Sequence, residues 1–200
     1  MNNSMDDFLP YKMVNIDHPS LLPNLKEINE VAETKAECLE MLRSELKSLQ
    51  DIEPCLEENF LLRFLRVSKF NTSKALQRIL KYYQQQEILL DSLKKISLPL
   101  HKAGSVNHLW CSPYRLKNNT IVFIALGGKV DFSKITFAEI MYLDMLAVNG
   151  VIENPVNQIT GVTLIFDYKG FGVRSFLAHT PNWTRVFVET FLVKKIMNYF

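Results

Sequence analysis

The sequence predicts an α/β chain in which an N-terminal helical unit precedes a unit of parallel strands and crossover helices. Three observations carry this. Two short apolar runs, 121–126 and 162–167, lack helical period and end in glycine-rich turns. Between them stands a helix-start signature, and residues 30 to 100 space their apolar side chains as helices do.

Taken in order, residues 1–28 contain Pro10, Pro19 and Pro23 without sustained period and are expected to be an extended lead-in. A helical unit is expected over 29–100. Its first helix, 30–49, carries Val31, Cys38, Leu42, Leu46 and Leu49 on one stripe, with Glu27, Glu30 and Glu33 early and Arg43 and Lys47 late, as the helix dipole favours. The next, Leu56 to Phe70, is apolar nearly all round apart from Arg63 and Arg66, so it belongs among other helices. Asn71 offers an N-cap for a third, running to about Leu90 with Ala75, Leu76, Ile79, Leu80, Tyr83 and Ile88 inward.

Beyond Pro99 the character changes, and residues 101–200 are expected to form the α/β unit. Ile121–Leu126 reads as a strand closed by Gly127-Gly128. Thr136 and Glu139 form a capping box, with Ile135 and Ile140 placed as a hydrophobic staple, and the helix they start runs to about Val151, before Pro155. Val162–Asp167 is almost wholly β-branched or bulky, which predicts a strand buried on both faces. Alternation across the pleat puts Val162, Leu164 and Phe166 on one side and Thr163, Ile165 and Asp167 on the other. Strand, helix and strand make a βαβ unit, so the strands should run parallel. Thr180 and Pro181 open a last predicted helix, 182–199, whose apolar residues include Val186, Val193, Ile196 and Met197.

Composition narrows the function classes. A hydrophobic fraction of 48% with 22% charged residues is ordinary for a globular protein, and a net charge of +2 from 23 basic and 21 acidic residues gives no nucleic-acid footprint. Cys38, Cys55 and Cys111 lie far apart without metal-ligand spacing, which fits a reducing compartment; with no signal peptide visible at residues 1–12, a soluble cytoplasmic protein is expected. Catalysis finds little footing. His18, His101, His108 and His179 are scattered, Gly128-Lys129 lacks the rest of a phosphate loop, and no nucleophile elbow or dinucleotide fingerprint is present. Asp167, at a strand end, reads as a turn former before Tyr168-Lys169-Gly170.

The run Phe60-Leu61-Leu62-Arg63-Phe64-Leu65-Arg66 followed by Lys69-Phe70, together with Gly161-Val162-Thr163-Leu164-Ile165-Phe166-Asp167-Tyr168-Lys169-Gly170, resembles the CRAL-TRIO lipid-transfer family, in particular its alpha-tocopherol transfer and retinaldehyde-binding branch. Ser68 and Asn71 depart mildly from the family pattern. The resemblance implies a helical bundle followed by a sheet flooring an apolar pocket, one lipophilic ligand, no cofactor, and transient contact with membranes and phosphoinositides. In that family the gate and remaining strands follow a helix like 182–199, so the chain is expected to be a fragment or a shortened product with an incomplete pocket. The rival expectation is an interaction module that keeps the fold without carrying a lipid.

Candidate pocket residues are Val162, Leu164 and Phe166, with Met141, Met145 and Val148 facing them from the preceding helix; plain core packing is the alternative for all six. Burying about 500 Å² of apolar ligand would yield a gross ~12 kcal/mol, from which association costs subtract. Lys194 and Lys195 are candidate head-group contacts, against the plainer reading of a solvated helix face. Arg63 and Arg66 are expected to pair with carboxylates such as Glu57 or Glu58, phosphate contact being the alternative.

Overall fold

The computed structural model describes residues 16–50, 52–93, 106–178 and 197–198. The order is helices α1 (Leu22–Ile28), α2 (Ala32–Lys47), α3 (Glu58–Val67) and α4 (Thr72–Leu93), strands β1 (Leu109–Cys111) and β2 (Ile121–Leu126), helices α5 (Phe137–Ile152) and α6 (Pro155–Thr160), strand β3 (Val162–Asp167), helix α7 (Val173–Ala178) and strand β4 (Met197–Asn198). The α/β class is as the sequence predicts.

The lead-in is not extended throughout. Residues 19–21 form a 3-10 turn and α1 follows, burying Leu21 and Ile28. Pro19 and Pro23 do not break these turns because they sit at helix starts, where the missing N–H is no loss. Asn29, at φ 61°, ends α1 in the left-handed conformation.

Cys38, Leu39, Leu42 and Leu46 of α2 pack with Leu61, Leu62, Phe64 and Leu65 of α3 and Ala75 and Ile79 of α4. Val31, expected on the stripe, is exposed because it stands at the N-cap, outside the helix; Ile88 is exposed too. The side chain of Asn71 accepts from the Lys74 N–H, 2.9 Å away, and α4 starts there.

The sheet runs β1-β2-β3-β4, with β2, β3 and β4 parallel and β1 antiparallel to β2. The capping box of α5 is present: Thr136 accepts from the Glu139 N–H, and the Glu139 carboxylate accepts from the Thr136 N–H at 2.7 Å. Pro155 ends one helix and begins another, since Asn154 caps α6 through the Val156 N–H. Strand β1 and helix α7 differ from the sequence expectation, being too short to show a period.

Two expectations change. Residues 197–198 are not helical: Met197 pairs with Val162 and Asn198 with Thr163, so the strand expected beyond the last helix lies within the predicted helix span. The rest of 182–199, including Lys194 and Lys195, lies outside the described residues. Strand β3 is buried on both faces only in its first half, Val162 to Leu164; Ile165 is 46% exposed.

Candidate functional site

The register of β2 against β3 assigns the sheet two distinct faces. On one, Ile121, Phe123 and Ala125 stand beside Val162, Leu164 and Phe166. Leu109, opposite Ala125, and Val151 of α5 pack onto this cluster, so α5 covers it. Val162 and Leu164 are buried there and Phe166 is half-buried, stacked on Tyr168 at the strand's C-terminal end with ring centroids 6.0 Å apart.

The opposite face changes along its length. Near the strand starts it is closed: Val122 and Thr163 are buried, and the Thr163 hydroxyl is 3.1 Å from that of Thr120. Towards the strand ends it opens. Trp110 of β1 pairs with Ile124, which pairs with Ile165, giving an apolar row across three strands in which Trp110 is 50% exposed. Parallel strands normally have both faces covered, so an exposed isoleucine in such a strand marks a surface that needs a cover.

The strand ends meet closely. A Cβ on Gly128 would lie 2.0 Å from the Lys169 carbonyl oxygen, so only glycine permits this approach of the two loops. The Asp167 carboxylate accepts from the Lys169 N–H at 2.8 Å, the turn-forming role expected of it before Tyr168-Lys169-Gly170.

Met141 and Val148 of α5 belong to a cluster with Ile152 and Phe137, separate from the one holding Val162 and Leu164. Met145 is buried and receives a hydrogen bond from Gln86 of α4, Nε2 to Sδ 3.2 Å. The structure therefore brings the three strand candidates together and groups Met141 and Val148 elsewhere.

The two arginines pair differently from expectation. Arg66 reaches Glu30 and Gln158, because its side chain points away from α3 towards the segment after α1 and towards α6 rather than along its own helix. Arg63 lies over the Phe60, Phe64 and Tyr82 rings, 4.3 Å from the Phe60 centroid, with Glu153 at 3.8 Å, while Glu58 pairs with Lys35. Gln158 also donates to Asn59, and Asn59 to the Glu153 carbonyl, so a polar seam joins α3 to α6.

His108, one of four histidines scattered in the sequence, has a defined partner in the fold. It is buried before β1, with Nε2 2.7 Å from the Asp144 carboxylate and Nδ1 2.9 Å from the Val106 carbonyl. Nothing in the spacing of 108 and 144 flags the pair. Among the described residues no group of His, Cys, Asp and Glu has metal-site geometry, and no helix is long and apolar enough to cross a membrane.

No family model matches the chain. Curated proteins do: it is 26% identical over 170 residues to clavesin-1 of Xenopus laevis, covering 82% of this chain and 50% of that protein. Clavesin-2 of Mus musculus and of Homo sapiens match at the same identity, with 51% of each covered. The likeness is to the CRAL-TRIO family. The chain spans about half the length of these curated relatives, and the match covers the greater part of it, as the two CRAL-TRIO-like runs in the sequence lead one to expect.

Proposed function

We propose that this chain is a non-enzymatic carrier that binds one lipophilic molecule against its sheet and exchanges it at membranes in the cytoplasm. The observation that carries the reading is the row Trp110, Ile124 and Ile165, an apolar surface that the described residues leave half-exposed towards the C-terminal end of parallel strands, where α/β folds place their ligands. The likeness to the clavesins supports it at the level of the family.

In this reading Trp110, Ile124 and Ile165 touch the ligand. Val162 and Leu164 back the sheet from under α5, Phe166 closes the wall at the strand end, and Met141, Met145 and Val148 hold α5 in place. Burial favours this assignment: Val162 and Leu164 have little surface left to offer, whereas Ile165 and Trp110 have half of theirs. The reading also keeps residues 29–100 as a supporting helical unit and 101–200 as the ligand-binding one. Phosphoinositide contact through Lys194 and Lys195 belongs to it on the strength of their charge.

Mass spectrometry of an organic extract of the purified protein tests the proposal. A lipophile should co-purify with the wild type and be lost from Ile165→Asp. A folded wild-type protein that yields no lipophile would favour the interaction module.

A further inference from the structure

The buried His108 ring faces an acceptor at each nitrogen: the Asp144 carboxylate 2.7 Å from Nε2 and the Val106 carbonyl 2.9 Å from Nδ1. A neutral imidazole carries one N–H and can satisfy one of them; an imidazolium carries two and satisfies both. The ring belongs to the residue that begins the β1–β2 ladder, since the Leu126 N–H donates to the His108 carbonyl at 2.7 Å. Asp144 belongs to α5, the helix that covers the sheet. The pair therefore ties an edge strand to the crossover helix.

We propose that His108 and Asp144 form a proton-operated latch: the imidazolium pins the start of β1 to α5, and loss of one ring proton releases the edge strand that carries Trp110. Deprotonation leaves a lone pair facing either a carboxylate or a carbonyl in a buried site, where neither is readily reached by water.

The surroundings are simple. β2 carries no titratable side chain and β1 only Cys111. On α5, Glu139 is engaged by Thr136, and Tyr142 is the remaining titratable residue besides Asp144. α4, which packs on α5, carries Lys74, Arg78, Lys81, Tyr82, Tyr83, Glu87 and Asp91, yet among the described residues Asp144 is the charge that acts on the ring. Burial pushes the ring towards its neutral form. The hydrogen bond and charge of Asp144, with the Val106 carbonyl, outweigh it and raise the pKa above the ordinary 6.5. The latch is thus fully formed below the unfolded-state value, and its contribution is lost as pH rises through the raised one.

The test is NMR of the 200-residue chain, following the His108 ring nitrogens and exchange of the Leu126 amide, corrected for the intrinsic pH dependence of exchange. His108 should titrate above 6.5, and Leu126 protection should fall about tenfold across that midpoint. In Asp144→Asn the midpoint should drop, and in His108→Gln the pH dependence of Leu126 protection should vanish. A wild-type midpoint at or below 6.5, or Leu126 protection equal on both sides of it, would overturn the latch.

Discussion

The Arg66 guanidinium grips the Glu30 carboxylate with two parallel hydrogen bonds, Nε and Nη2 each 2.8 Å from one oxygen, while Nη1 donates to Gln158 at 2.6 Å. Arg66 is 2% exposed. One side chain thus fixes α3 against both the segment after α1 and the short helix that leads into β3. Glu30→Ala strands a buried cation and should cost about 3–5 kcal/mol in urea unfolding. The double variant Glu30→Leu/Arg66→Met should recover a good part of that, because no uncompensated charge remains. A double variant as unstable as the single would show that the pair itself is the main stabiliser.

Two glycines should respond in opposite directions to the same change. Gly150 lies in α5 with nothing within 4 Å of an added Cβ, so Gly150→Ala should stabilise by about 0.5–1 kcal/mol. Gly128→Ala drives a methyl into the Lys169 carbonyl, backbone against backbone, and should lower the melting temperature clearly. Thermal unfolding of both variants checks the pair.

The capping box is expected to matter by an ordinary amount. Thr136→Ala removes the acceptor for the Glu139 N–H and should cost about 1 kcal/mol, read as a shift of the urea midpoint with unchanged slope.

Much of this fold was legible because its signals are local. The capping box, the Asn71 cap and the strand limits 121–126 and 162–167 depend on neighbours a few residues apart. What was missed depends on distance. Arg66 finds Glu30 across 36 positions and His108 finds Asp144 across the same span, so no helical or strand period records either pair. Strand β1 has three residues, too few for alternation to show. The alternation along β3 was read correctly, but which face α5 leaves open is a tertiary property. The prolines at 19 and 23 signalled helix starts as well as turns, a distinction that rests on the buried Leu21 and Ile28 behind them.

Fluorescence of Trp110 shows whether a lipophilic ligand sits on the row Trp110, Ile124 and Ile165. In a Trp183→Phe variant, excitation of Trp110 during titration with cis-parinaric acid, a fluorescent fatty acid, should give saturable energy transfer that Ile165→Asp abolishes and Gly150→Ala leaves intact. Saturable binding of the probe without energy transfer from Trp110, or transfer undiminished in Ile165→Asp, would place the ligand away from the open face and contradict the account.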